Sequence, residues 1–288
     1  MLRYNFPLLM NQSFPVPPIS VFRRHPAATY FVLTFTISWL GAFLLVASRL
    51  LRGESIPKFA GLMMFPVMLL GPFLSSIVLT RIFDGRAGLR DLLQRVARWK
   101  FPLRWYAALL IPPLFVFTAL FSLKTFVSPA FAPNRFFPGA GFGLVAGFFE
   151  EIGWTGFAFP KMISPAKTWL PPAILLGLLW GCWHIPVIEY LGAATPHGSA
   201  WLPFFLAFTC AMTAIRVLIA WLYTRTQSIL LAQLLHAFST ASLVVFSPAA
   251  ITPRQEAFWY FLYAAALWLL VLFLSATGRF TSRQTPRE

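Results

Sequence analysis

Negative charge is scarce in this sequence of 288 residues, which has only eight Asp and Glu residues against 23 Lys and Arg. Charged residues of both signs make up 11% of the chain, and 58% of the residues are hydrophobic. This composition is typical of a protein that crosses a membrane several times. A soluble protein with a very large core is the alternative.

Cysteine is also rare, since the chain has only two. Cys182 and Cys210 both lie inside apolar runs, so we expect packed thiols rather than a disulfide. The first 26 residues lack a long apolar run and do not resemble a cleaved signal peptide. We interpret them as a cytoplasmic tail.

The net charge of +15 could indicate a nucleic-acid partner. The Lys and Arg residues lie mostly between apolar runs, however, where they would orient the protein in a bilayer. Their distribution predicts that both termini are cytoplasmic, and we expect a bacterial inner membrane. The lipid bilayer, and not nucleic acid, is therefore the expected environment.

Eight apolar runs are long enough to cross about 30 Å of hydrocarbon as helices. They lie roughly at 27–48, 60–81, 105–126, 140–160, 171–190, 201–224, 227–247 and 257–276. The sequence predicts an all-α, polytopic membrane helix bundle in one domain, 27–276, with its motif core at about 139–247. Residues 277–288 would form a cytoplasmic C-terminal tail.

An amphipathic helix is predicted between the second and third spans, within 88–100. Its apolar residues follow helical spacing, and its polar face is rich in arginine. Two interpretations stay open: the helix lies on the anionic surface of the cytoplasmic leaflet, or it packs on the bundle as a connector.

Glu150 and Glu151 stand next to each other inside the fourth apolar run. A charged residue at the centre of a membrane helix costs about 2.5–3.5 kcal/mol on insertion scales, so such residues are candidates for function. At about 1.5 Å of rise per residue, Glu151, His184, Arg216 and His236 all fall roughly 13–20 Å from the cytoplasmic side. A shared depth predicts one buried polar site.

Small residues accompany these polar ones at helical spacing, which would let neighbouring helices approach closely. Three stripes carry this pattern: Gly139, Gly143 and Gly147; Gly177 and Gly181; and Ser228, Ala232, His236 and Thr240. The glutamates and histidines should therefore face protein rather than lipid.

Three motifs in this order resemble those of the CPBP family, the CAAX-protease and bacteriocin-processing family also called Abi. They are Glu150-Glu151 followed by Gly156-Phe157, Trp180-Gly-Cys-Trp-His184, and His236-Ala-Phe-Ser-Thr240. The resemblance runs from about residue 30 to 250. It implies an intramembrane endopeptidase that hydrolyses membrane-associated substrates of the CAAX-like or bacteriocin type.

Two positions depart from the family pattern. Thr155 stands where the first motif has an arginine, and Thr240 stands where the third often has an asparagine. The family arginine would pair with the second glutamate, and Thr155 cannot supply that charge. We therefore predict that Arg216, at a similar depth, pairs with Glu151.

The resemblance also implies roles for the site residues. Glu150 and His184 would hold the attacking water, and Glu151 would orient its neighbours. His236, with Thr240, would stabilise an oxyanion. Apart from the resemblance, we expect Trp180 to pack around the site. Glu150, His184 and His236 could bind a divalent metal such as zinc, but a metal-free glutamate mechanism fits the same residues.

Other interpretations of the same residues stay open. Each histidine alone could be a structural hydrogen-bond partner, and the glutamates could form a structural pair with Arg216. The chain could then be an inactive relative that acts as an immunity or binding protein. A proton-coupled transporter is a third possibility, although no repeated halves are evident. The substrate and oligomeric state are left open by the sequence.

Overall fold

The computed structural model describes residues 22–54, 56, 58–163, 168–192, 197–278 and 280. This part of the chain is helical and contains no strands, which confirms the predicted all-α class. Most of the two predicted tails, 1–21 and 281–288, lies outside the described residues.

We label the helices α1 to α12 in chain order. Their bounds are Pro26–Leu51 (α1), Lys58–Phe83 (α2), Gly85–Val96 (α3), Leu103–Ala107 (α4), Ile111–Phe126 (α5), Gly139–Gly153 (α6), Phe159–Met162 (α7), Leu170–Trp183 (α8), Ile185–Gly192 (α9), Trp201–Thr226 (α10), Ile229–Phe246 (α11) and Pro253–Ala276 (α12). A 3₁₀ turn, Ala108–Leu110, joins α4 to α5, and a π-helical turn, Trp154–Ala158, joins α6 to α7.

Within the described residues, seven helices are long and apolar enough to cross a membrane. They correspond to seven of the eight predicted spans, and the protein is an integral membrane protein. The predicted fourth span is the exception. It is helical from α6 through the π-turn to α7, but its glycines and two glutamates make it less apolar than the others.

The predicted fifth span is not one continuous helix. Its helix α8 ends at Trp183, and α9 begins at Ile185, so that His184 lies at the break. Pro186 has no N–H to continue the backbone ladder, and its ring disfavours the preceding helical turn. The break frees the carbonyl of Trp183, which accepts a hydrogen bond from Trp39 Nε1 of α1 at 3.1 Å.

Helices α1 and α2 pack closely around a proline. Pro72 lies inside α2 and cannot donate to the carbonyl of Met68. Ser38 Oγ of α1 donates to that carbonyl instead, at 2.7 Å. Gly71 allows this approach, because a Cβ atom there would lie 2.0 Å from Ser38 Oγ.

The predicted glycine stripe of α6 packs against α11. A Cβ atom on Gly147 would lie 2.3 Å from the carbonyl oxygen of Gln233 and 2.9 Å from the amide nitrogen of Ala237. These neighbours are backbone atoms and cannot rotate away. The second stripe behaves similarly, since Gly177 and Gly181 of α8 lie against Thr213 and Thr209 of α10.

Substitution of Gly147 by alanine should therefore force α6 and α11 apart. We expect Gly147→Ala to lower the free energy of unfolding by about 1–3 kcal/mol, the usual effect of overpacking. Gly141 on the same helix is the matched control, since a Cβ atom there meets nothing within 4 Å. Thermal unfolding in detergent should show Gly141→Ala to be neutral or stabilising, and equal losses from both substitutions would contradict the prediction.

The predicted amphipathic helix is α3, and it docks on the bundle. Leu92 is buried, whereas its neighbour Leu93 is 67% exposed. The connector interpretation is thus correct for one face of α3, while contact of the other face with lipid stays a prediction.

The two cysteines are free, as predicted, but they are not both packed. Cys182 is half-buried, and Cys210 is exposed on the outer surface of α10. The prediction of a packed thiol was wrong for Cys210, because α10 is not buried around its whole circumference at this level.

Candidate active site

The two glutamates lie in the last turn of α6, directly before the π-turn. Glu150 is 1% exposed, and Glu151 is fully buried. The glycine stripe draws this end of α6 against α11, so the carboxylates face neighbouring helices rather than lipid. A buried carboxylate requires hydrogen-bond or charge partners, and each glutamate has a different set.

Glu151 is paired with a cation on another helix. Arg216 of α10 donates from both terminal nitrogens, to Oε2 at 2.7 Å and to Oε1 at 2.8 Å. This is the bidentate geometry of the stronger arginine–carboxylate pairs. The structure thus places Arg216 on Glu151, as the sequence analysis predicted.

Two further groups complete the shell of Glu151. Thr155, one turn along the helix, donates its hydroxyl to Oε2. His236 Nδ1 lies 2.7 Å from Oε1. A carboxylate paired with arginine accepts hydrogen bonds, so Nδ1 carries the proton and Nε2 of His236 points away from Glu151. Every contact here fixes Glu151 in place.

Glu150 pairs with no cation in the part of the chain that the structure describes. Its Oε2 accepts hydrogen bonds from two indoles, Trp154 Nε1 at 3.0 Å and Trp180 Nε1 at 2.7 Å. Among the described residues, its other oxygen, Oε1, accepts no hydrogen bond. One side of the Glu150 carboxylate is therefore anchored, and the other keeps its acceptor capacity.

His184 is oriented by the break between α8 and α9. Its Nδ1 lies 2.7 Å from the carbonyl oxygen of Trp180. A carbonyl can only accept, so Nδ1 carries the proton and the neutral ring has its lone pair on Nε2. Unlike the glutamates, His184 is partly exposed, so the described residues do not enclose the site completely on this side.

Trp180 connects the whole group. Its indole donates to Glu150, and its ring centroid lies 5.4 Å from that of His184 and 5.0 Å from that of His236. The guanidinium carbon of Arg216 lies 4.3 Å from the centroid of the same ring, a cation–π contact. The sequence analysis treated Trp180 as packing, but it is a hydrogen-bond donor and the shared neighbour of four polar residues.

The structure thus brings together five of the predicted residues around Trp180: Glu150, Glu151, His184, Arg216 and His236. Thr240 is half-buried one turn beyond His236, and none of the hydrogen bonds described joins it to this network. Its predicted role in stabilising an oxyanion stays a prediction.

The proposed metal ligands fit a metal site poorly. No three His, Cys, Asp or Glu side chains in the described ranges form a group that could hold a metal ion. The set of Glu150, His184 and His236 is included in that result. Metal analysis of the purified protein would test the zinc site that the sequence suggested.

Two contacts of the site were missed by sequence reasoning, although their spacing gave a signal. Trp154 follows Glu150 by four residues, and Thr155 follows Glu151 by four. Residues four apart share a helix face. Thr155, interpreted above as the loss of an arginine, in fact binds the carboxylate that Arg216 neutralises.

Comparison with known proteins relates this chain to CAAX prenyl proteases by similarity. A family model described as type II CAAX prenyl endopeptidase Rce1-like matches residues 132–242. That segment contains both glutamates and the residues around Trp180. CAAX prenyl protease 2 of Methanococcus maripaludis is 25% identical over 276 residues, which cover 87% of this chain and 96% of that protein.

Proposed function

We propose that this chain is an intramembrane endopeptidase of the CPBP family of CAAX proteases. The match to the family model and the similarity to CAAX prenyl protease 2 both support this proposal. Its substrate would be a membrane-associated protein or peptide with a CAAX-like or bacteriocin-type cleavage site. We place the site roughly 13–20 Å from the cytoplasmic side of the bilayer, by the rise per residue. Both termini would lie in the cytoplasm, since Lys and Arg concentrate in the loops on that side.

The observation that carries this proposal is the different bonding of two adjacent carboxylates. Glu151 is held by Arg216 and His236, whereas Glu150 has one anchored oxygen and one that accepts no hydrogen bond from the described residues. Neighbouring carboxylates in unlike environments are the usual arrangement for an acid–base residue and its support. Glu150 is therefore the general base, and Glu151 is the orienting residue.

In the proposed reaction, a water molecule lies between Glu150 Oε1 and His184 Nε2. Glu150 takes one proton from the water, and the oxygen attacks the carbonyl carbon of the scissile peptide bond. Glu150 then gives this proton to the leaving nitrogen as the C–N bond breaks. The products are a carboxylic acid and an amine, and Glu150 ends each cycle as the carboxylate with which it began.

His236 stabilises the negative charge that develops on the carbonyl oxygen. Its Nδ1–H is fixed on Glu151, so a second proton on Nε2 would make an imidazolium that donates to the oxyanion. Glu151, which Arg216 and His236 share, carries the negative charge nearest to that imidazolium. Groups of this kind lower a barrier because they are oriented before the reaction begins.

The two histidines provide the direct test of the site. We expect His184→Gln and His236→Gln each to lower kcat by about 10²-fold or more, since one positions water and the other stabilises charge. The assay would follow cleavage of a fluorescent, prenylated peptide ending in Cys-a-a-X by protein in liposomes.

His25→Gln is the matched control, because His25 is exposed at the start of α1 and makes no side-chain cap. It should cleave at the wild-type rate. Equal cleavage by the wild type and all three variants would contradict the proposed site. A bacteriocin-type precursor as second substrate would distinguish the two substrate classes.

A further inference from the structure

Helix α3 makes an unusual contact with the π-turn that follows the two glutamates. Arg95 of α3 donates from one terminal nitrogen to the carbonyl of Gly156 at 3.1 Å. Leu92 of the same helix lies against Gly156 as well, since a Cβ atom there would be 2.8 Å from Leu92 Cδ1. A surface helix therefore touches the backbone of the π-turn at one residue through two side chains.

The π-turn is where the site gets two of its hydrogen bonds. Trp154 donates to Glu150 and Thr155 to Glu151, and these are the two residues before Gly156. A π-turn disturbs the regular hydrogen-bond ladder of a helix, and such turns are frequent at functional sites. A donor placed on the Gly156 carbonyl helps to hold the turn in this shape.

Arg95 also reaches the helix that carries the cation of the site. The same terminal nitrogen lies 2.9 Å from the hydroxyl oxygen of Tyr223, near the end of α10. Arg216 lies two turns earlier on α10. One guanidinium thus bridges the π-turn of the carboxylates and the helix of Arg216.

The Arg95 side chain is itself held in place. Its Nε donates to Asp91 one turn earlier at 2.8 Å, and the side chain is only 14% exposed. Beside it is a pocket of about 680 Å³ between α3, the π-turn and the end of α10, lined in part by Asp84 and Lys161. On the side of the turn that borders this pocket, Arg95 donates the hydrogen bond to the Gly156 carbonyl.

We infer that Arg95 is a positioning residue of the proposed active site, which holds the π-turn so that Trp154 and Thr155 keep Glu150 and Glu151 in place. The inference rests on the proposed function for its effect on catalysis. Its structural part, the hold on the π-turn, is independent of any activity.

Arg95→Gln removes the guanidinium that bridges the Gly156 carbonyl and the Tyr223 hydroxyl. Arg90→Gln is the matched control. Arg90 is exposed on the same helix, so its replacement changes the net charge equally. We expect Arg95→Gln to lower kcat by about 10- to 100-fold with little change in KM, because a small displacement of a catalytic group has that effect. Arg95→Lys, which keeps one donor, should recover part of kcat, and Arg90→Gln should match the wild type.

Hydrogen exchange of the segment 150–162 in the full-length protein provides a readout without substrate. Faster exchange there in Arg95→Gln, but not in Arg90→Gln, would support the inference. Tyr223→Phe removes only the bridging hydroxyl and should raise the exchange rate over 150–162 by a smaller amount. This variant replaces Arg95→Gln in the test if Arg95→Gln does not fold.

The inference is overturned if exchange over 150–162 is the same in Arg95→Gln and the wild type, or if Arg90→Gln has an equal effect. Wild-type kcat in Arg95→Gln would overturn its catalytic part. Absence of cleavage by the wild type on both substrate classes would contradict the proposed function instead, and exchange would still decide whether Arg95 holds the turn.

Discussion

Substitution of Glu150 by glutamine is expected to reduce cleavage by about 10³-fold or more, toward the upper range for loss of a general base. The amide oxygen of glutamine can still accept the hydrogen bonds that Trp154 and Trp180 donate to Glu150. The site should therefore keep its geometry and lose only the group that accepts a proton from water. Single-turnover cleavage in liposomes would measure the effect.

The control for this substitution is Glu256→Gln. Glu256 lies in the first turn of α12, and its Oε2 is 3.0 Å from His197 Nε2. Neither residue belongs to the network around Trp180. Its substitution should leave kcat unchanged. If Glu150→Gln has the same unfolding temperature as the wild type, its fold is intact. A cleavage rate within about threefold of the wild type would rule out Glu150 as the base.

Breaking the pair between Glu151 and Arg216 should have the largest effect on stability. Removal of one partner leaves a buried charge without compensation, which typically costs about 3–5 kcal/mol. We therefore expect both Glu151→Ala and Arg216→Met to unfold much more readily than the wild type in detergent. The double variant should lose less than the sum of the two, because it leaves no unpaired charge.

An exposed pair provides the comparison. Arg52 Nε lies 2.6 Å from Glu54, and both side chains are about half exposed. The hydrogen bond from Arg52 holds the pKa of Glu54 below its usual range, but solvent screens such a pair, and its double-mutant cycle should show no measurable coupling. Additive losses at Glu151 and Arg216 would show that the buried contact does not stabilise the fold.

Much of the candidate site could be predicted from the sequence because depth along a membrane helix follows from counting residues. The rise per residue placed Glu151, Arg216 and His236 at one level, and they are in contact in the structure. The glycine stripe similarly indicated which side of α6 faces a neighbour. Both deductions use only the regular geometry of the helix.

What counting could not supply is the rotation and interruption of each helix. The Trp154 indole reaches Glu150 from one turn along the chain, but the Trp180 indole meets the same oxygen only because α8 is oriented so that Trp180 faces Glu150. The π-turn after Gly153 depends on local backbone energies that a hydrophobic pattern does not record. The break at His184 had a signal in Pro186, which a count of apolar residues passes over. The contact of Arg95 with Gly156 joins residues 61 apart and has no periodic signal.

The position of Arg216 on α10 has a consequence for how the protein is made. Glu151 is synthesised 65 residues before its cation, so the segment from α6 to α7 leaves the ribosome with both carboxylates uncompensated. At about 2.5–3.5 kcal/mol for a charge at the helix centre, this segment is a poor substrate for independent insertion by the translocon. We therefore expect its stable integration to follow the synthesis of α10, which would couple biogenesis of the bundle to assembly of the site.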